Sequence, residues 1–347
     1  MNFASDNTAP VAPAILDAIV GANTGYALGY GNDDWTHGVE RRLSEVFERE
    51  VAAFLVPTGT AANALALAQV APPWGVVFAH AESHVATDEC GAPEFFGGGF
   101  KLAGLPGDGA KIAPQTLQTA LAGYGDHSPH QMIASALSLT QATEAGTIYR
   151  TDEIAALCDI ANQRGLAIHM DGARFANALV RVNVTPAEMT WRSGIDVLSF
   201  GATKGGALAA EAVVFFDPER AKFFAERRKR GGALLSKHRF LAAQFAAYLA
   251  DDLWLRLARH ANDKADRLAQ KLTALGLTPL WPVEANLVFV GLPRRLDEKL
   301  KAAGASYYVR PSESANLPAD RVLARLVTSF ATRDEDIDRF VQLCEMS

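Results

Sequence analysis

Short apolar runs bounded by turn residues alternate with helical patterns through the first two-thirds of the chain. Ala52–Val56 reads as a short buried strand and Thr60–Val70, after Gly59, as an Ala-rich helix. Val76–Ala79 and Ile133–Leu139 read as further strands. Thr151–Arg164 has a helix-start signature, since Thr151 can cap and Asp152 and Glu153 suit a first turn. Gly165 closes that helix, and strands follow at Leu166–Met170, Val197–Phe200 and Ala212–Phe216. Strand–helix alternation predicts an α/β domain with a mostly parallel sheet.

The last third differs. Arg239–Leu275 is amphipathic and has no strong breaker before Gly276, so it reads as one long helix. A strand (Asn286–Val290), a helix (Leu296–Ala303), a strand near Val322–Phe330 and a helix (Asp334–Glu345) complete the pattern. The expected division is an N-terminal arm and large α/β domain over residues 1–244, then a small α+β domain over 245–347.

With 49% apolar and 21% charged residues over 347 positions, the chain can bury a large core and is not a disordered one. The least polar stretch, Ala61–Pro73, is interrupted by Asn63 and Gln69 and is too short to span a bilayer. The first ten residues lack the basic and apolar regions of a secretory signal, so a cytoplasmic protein without membrane attachment is expected. Acidic residues outnumber basic ones by 39 to 33, which argues against a nucleic-acid partner. The basic run Arg227–Arg230 reads as a solvated helix end, with a local anion site as the alternative. Cys90, Cys158 and Cys344 are odd in number and far apart, pointing to neither a disulfide framework nor a metal site.

Three clusters carry candidate chemistry. Pro57-Thr58-Gly59-Thr60-Ala61-Ala62-Asn63 joins a strand to a helix, and free N–H groups at that helix start could hold a phosphate. An ordinary capped helix start would read the same way, and Gly97-Gly98-Gly99 lacks even that context. His169-Met170-Asp171-Gly172-Ala173-Arg174 ends a strand, where sites in open α/β sheets gather. Its Asp could keep a ring nitrogen protonated and its Arg could hold an anion, or the two could simply pair. Lys204 follows the strand Val197–Phe200 among small residues that leave room for a planar group on its amine. Phosphate cradle, ring-nitrogen carboxylate and lysine, in that order on successive strands, are what a pyridoxal 5'-phosphate enzyme needs.

Here the chain resembles the threonine aldolases of the β-eliminating lyase group, within the type I pyridoxal phosphate-dependent transferase fold. The likeness rests on Ser5-Asp6, Tyr30-Gly31-Asn32-Asp33, the run Pro57–Asn63, His84, His169–Arg174, Ser199–Lys204 and Ala324–Thr328. Gln141-Ala142-Thr143-Glu144 and Met189-Thr190-Trp191 are similar to the low-specificity L-threonine aldolase branch.

The resemblance implies that Lys204 carries the cofactor as a Schiff base, Asp171 pairs with its ring nitrogen, and His84 lies over the ring face. It implies phosphate binding by Gly59 and Thr60. Arg174 and Arg325, with Ser5, would hold the substrate carboxylate, and Tyr30 would line a pocket, often the adjacent subunit's. The reaction implied is retro-aldol cleavage of L-threonine, L-allo-threonine and related 3-hydroxy amino acids to glycine and an aldehyde. Another type I lyase, or an aminotransferase acting on a small amino acid, is the alternative. A homodimer or homotetramer with shared active sites is also implied. Many family members carry an Asn-Thr-His-Asn-like stretch at Gln141–Glu144, so this chain lacks the histidine expected near the substrate hydroxyl. His130, eleven residues earlier, is the expected substitute, with His127 as competitor.

Overall fold

Most of the apolar runs become strands of one sheet: β1 (Ala52–Val56), β2 (Gly75–His80), β3 (Lys101–Leu105), β4 (Ile133–Thr140), β5 (Ala167–Gly172), β6 (Val197–Gly201) and β7 (Glu211–Phe215). These assignments come from a computed structural model, which describes residues 1–125, 129–310 and 317–345. The strand order is β1-β7-β6-β5-β4-β2-β3, and only β7 runs against its neighbours. The mostly parallel sheet expected from the alternation is therefore present. Strands β2, β5, β6 and β7 are buried along their whole length. Helices cover both faces of such a sheet, which is why these strands read as continuous apolar runs rather than alternating ones.

A second, three-stranded antiparallel sheet contains β8 (Leu287–Pro293), β9 (Tyr308–Arg310) and β10 (Arg321–Val327), in the order β8-β10-β9. Its own apolar cluster includes Leu268, Leu272, Val288, Leu300, Leu326 and Phe340, and Phe3 of the N-terminal arm joins it. No helix among the described residues is long and apolar enough to cross a membrane.

Three local differences have physical reasons. The stretch Arg239–Leu275 is two helices, Arg239–Leu249 and Leu253–Ala274, separated where Asp251 and Asp252 take φ of 48° and 55°. Aspartate tolerates this left-handed conformation, and the Arg256 guanidinium holds the break by donating to the Asp251 carbonyl. The helix expected to be capped by Thr151 is instead capped at Arg150, whose N–H donates to Glu153 Oε2 at 2.7 Å. Edge strand β3 escaped the sequence pattern because its residues are mostly part-exposed or exposed.

Candidate active site

Strands β1, β2, β4, β5 and β6 all end at the same edge of the sheet, and the antiparallel β7 begins there. Loops leaving this edge converge on a cavity of about 380 Å³, lined by Gly59, Thr60, Asn63, His84, Asp171 and Lys204 among others. A second cavity of about 430 Å³ adjoins it, with Ser5, Arg174, Tyr308, Arg310 and Arg325 in its wall. Asn7, His84, Glu144 and Lys204 line both. Residues from eight separated stretches of chain thus meet at one place.

At the floor of the first cavity β1 passes into the helix Gly59–Val70. Thr58 caps that helix, its hydroxyl oxygen accepting from the Ala61 N–H at 3.1 Å. Gly59 and Thr60 are its first residues, where N–H groups have no partner inside a helix. A Cβ on Gly59 would meet no atom within 4 Å and would project into open space, so this glycine leaves the cradle unfilled.

Asp171 is the penultimate residue of β5 and is buried. Its Oδ2 accepts from Asn63 Nδ2 at 2.9 Å and its Oδ1 from the Ala173 N–H at 3.1 Å. Neither partner is a cation, so this buried carboxylate faces the cavity with no ion pair among the described residues. A protonated pyridine nitrogen supplies one. Asn63 Nδ2 also donates to Glu89 Oε1 at 2.8 Å, and Glu89 Oε1 lies 2.9 Å from His84 Nδ1. This hydrogen bond, against the effect of partial burial, raises His84 above the usual histidine value.

Lys204 sits in a tight turn after β6, half-buried, and lines both cavities. The small neighbours foreseen for it are sterically required. A Cβ on Gly205 would lie 2.3 Å from the Tyr248 hydroxyl.

Beneath the turn, Glu211 opens β7, buried in the wall of the first cavity, accepts from the Ala202 N–H at 3.0 Å, and is pushed by burial to a pKa of about 7. His169 is hydrogen-bonded on both sides, to Ser138 and Ser199 at 2.9 Å each. Burial lowers it to about 4, so it stays neutral and braces β4, β5 and β6.

The arginines divide their tasks. Arg174 Nε and Nη2 donate to Asp6 Oδ2 and Oδ1 at 2.8 and 3.0 Å, with both side chains almost fully buried. Its Nη1 makes no hydrogen bond with a described residue, and the side chain lines the second cavity. Among the described residues Arg325 makes a single hydrogen bond, to the Ala4 carbonyl at 3.4 Å, and burial lowers its pKa to about 10. It remains a cation at neutral pH, with no carboxylate paired to it among the described residues. Ser5 stands in the same wall.

Two expected residues lie elsewhere. His130 is exposed in the turn before β4, at the opposite edge of the sheet from the cavity. Eight strand residues, roughly 26 Å of extended chain, separate the two ends of β4, so His130 does not replace the missing histidine within its own chain. His127 lies outside the described residues. Tyr30 is half-exposed beside Lys229, whose ammonium sits 4.5 Å from its ring centre, and lines neither cavity of its own chain. The basic run closes the helix Phe224–Arg230, yet Arg228 is buried rather than solvated and donates to the Leu55 carbonyl at 3.1 Å.

Sequence reasoning missed Asn7, Glu89, Glu211 and Arg310 as site residues. For Glu211 a signal existed: a lone carboxylate at the head of an apolar strand. Glu89 lies five residues after His84 in a polar loop and had none.

This fold and donor set define a pyridoxal phosphate-type site, with a lysine amine, a buried carboxylate and an open helix-start cradle around one cavity. The family described as Beta-eliminating lyase matches residues 2–294, and the chain belongs to that family. It is 40% identical over 98% of its length to the low specificity L-threonine aldolase of Pseudomonas aeruginosa, covering 95% of that protein. It is 41% identical to the enzyme of that name from a Pseudomonas species, covering 88% of each chain. The solved structure of Leishmania major threonine aldolase superposes with a TM-score of 0.93 at 28% identity, over 99% of this chain and 98% of that one. A Sphingomonas wittichii serine palmitoyltransferase, 15% identical with a TM-score of 0.72, shares the fold.

Proposed function

We propose that this protein is a pyridoxal phosphate-dependent carbon–carbon lyase that cleaves L-threonine, L-allo-threonine and related L-3-hydroxy-α-amino acids, phenylserine included, to glycine and an aldehyde. The observation that carries the reading is the pairing of Lys204 and Asp171 across one cavity that opens onto the cationic wall of Arg325 and Arg174. Names of the relatives, at 40% and 41% identity, support the same substrate class.

When bound, the cofactor supplies an electron sink for the pair released at Cα. Lys204 supplies the amine that holds it. Asp171 keeps a proton on its ring nitrogen, and the hydrogen bonds from Asn63 and Ala173 fix that carboxylate in place. Gly59 and Thr60 present the helix start to a phosphate, where unpaired N–H groups and the helix dipole favour an anion. Arg325, with Arg174 and Ser5, grips the substrate carboxylate and so decides which Cα bond faces the ring. His84, with Nδ1 engaged by Glu89, presents Nε2 to the cavity as a proton-handling group near working pH.

Three further features belong to this proposal. A homodimer or homotetramer with shared sites accords with the exposed Tyr26, Leu28 and Tyr30 in one segment and with Leu208 exposed at the cavity rim. A division near residue 245 accords with the second apolar cluster, although Trp254 and Ala258 still pack into the first. A cytoplasmic location accords with three unpaired cysteines.

The test is aldehyde release from L-threonine, coupled to aldehyde reduction, with glycine quantified. Borohydride reduction and peptide mapping should place the cofactor on Lys204, and Lys204→Ala should lose both the cofactor's visible absorbance and the activity. Keto-acid formation without aldehyde, or a label on another residue, overturns the reading.

A further inference from the structure

We propose that Glu144 is a catalytic residue of this site, accepting the hydrogen bond and then the proton of the substrate's β-hydroxyl. The inference rests on the aldolase reading above and deepens it. It begins with a vacancy in the chemistry: the expected histidine of this loop is absent, and His130 lies at the far edge of the sheet.

The loop after β4 is built to present one side chain. Its Gln141 side chain donates to the Tyr149 carbonyl at 2.8 Å and accepts from the Tyr149 N–H at 3.0 Å. The Gln141 N–H binds the Asp171 carbonyl at 2.8 Å, tying the loop to the strand that carries the ring carboxylate. Thr143 and Thr147 hydroxyls both donate to the Gly109 carbonyl, at 3.0 and 2.6 Å. Every polar side chain of Gln141–Thr147 except Glu144 is thus satisfied by the protein. Glu144 is 9% exposed, lines both cavities, and makes no hydrogen bond or ion pair with a described residue. Its oxygens open to the cavity within electrostatic reach of Arg174 and Arg325, which keep it a carboxylate, and are free to accept from a ligand's donor.

Substrate geometry identifies that donor. The amino nitrogen must sit at Lys204 and the carboxylate in the arginine wall, so Cα and Cβ occupy the junction of the two cavities. Side chains common to both are Asn7, His84, Glu144 and Lys204. Of these, Glu144 is the one carboxylate, and both its oxygens are uncommitted among the described residues, whereas His84 has Nδ1 held by Glu89 and only Nε2 free. In the cleavage the hydroxyl proton passes to a Glu144 oxygen, and the O–H pair becomes the second carbon–oxygen bond of the aldehyde. The Cα–Cβ pair stays with the glycine carbon, which then takes up a proton, so no co-reactant is needed.

The test compares holoenzyme with Glu144→Gln, which keeps the shape and removes the charge. Threonine cleavage should fall about 100-fold or more, the usual range for losing a general base. Deuterium exchange at the α-carbon of glycine, which has no hydroxyl, should fall less than about threefold by comparison, a separation of the kind differential kinetics reveals. Equilibrium titration of the cofactor's absorbance with L-serine and L-alanine gives a readout apart from turnover. The wild-type preference for serine should be about tenfold, as for a hydrogen bond to a charged group, and should shrink in Glu144→Gln. Equal losses for threonine and glycine, or an unchanged serine preference, would mean that Glu144 only balances the charge of Arg174 and Arg325, and the proposal falls. If wild type exchanges glycine but never releases aldehyde, the aldolase reading itself fails instead.

Discussion

Replacing Asp6 by alanine tests the coupling between the N-terminal arm and the active site. Asp6 forms two hydrogen-bonded contacts with Arg174, at 2.8 and 3.0 Å, and accepts a third hydrogen bond from Asn286 Nδ2 at 3.0 Å. The two side chains are 1% and 3% exposed, so solvent cannot replace the missing carboxylate. Breaking a buried pair by removing one partner costs about 3–5 kcal/mol, because the remaining charge stays buried. At about 2 °C per kcal/mol, a conservative figure for a large chain, Tm should fall by at least about 6 °C. The assay is thermal unfolding of the holoenzyme by circular dichroism. In Asp6→Ala/Arg174→Met the loss should be smaller than in Asp6→Ala alone, since no orphan charge remains.

The pH dependence of this pair carries a defined sign. Burial pushes the Asp6 carboxyl up, but Arg174, Lys204 and Asn286 together more than offset this and hold it below its usual value. The stability it contributes is therefore present above the unfolded aspartate value and is lost as pH falls through the lower folded one. A Tm within about 2 °C of wild type for Asp6→Ala, against the cost expected for a buried orphan charge, would refute the reasoning. So would a double variant less stable than the single one.

Two further outcomes are expected. Arg325→Met should raise KM for threonine by roughly 10- to 100-fold, the worth of a hydrogen bond to a charged group, while threonine amide should be affected far less. Equal effects on the acid and the amide would remove Arg325 from carboxylate binding. Glu89→Gln should lower the pH at which His84 titrates by NMR, because the hydrogen bond to a carboxylate that raises it is replaced by one to a neutral amide. Because the raised His84 value favours folding at pH below the unfolded value, and that gain disappears as pH rises through the folded one, the variant should lose stability mainly on the acid side. An unmoved titration would show that the 2.9 Å contact does not set the basicity of His84.

The sequence alone determined the layered fold and the chemical parts of the site. Apolar runs with fixed turn residues specify strands of a covered parallel sheet, and motifs at strand ends are local in the chain, so Gly59, Asp171 and Lys204 were legible before any contact was known. Tertiary structure decided their surroundings. Which cations are already neutralised follows from contacts between distant residues: Asp6 meets Arg174 across 168 positions, while Arg325 has no ion pair among the described residues. Asn63 joins Asp171 across 108 positions and Glu89 across 26, a network no spacing rule contains. His130 was misplaced for the same reason. Proximity in sequence to β4 says nothing about which end of the strand a side chain reaches, and on a parallel sheet only one end is the active edge.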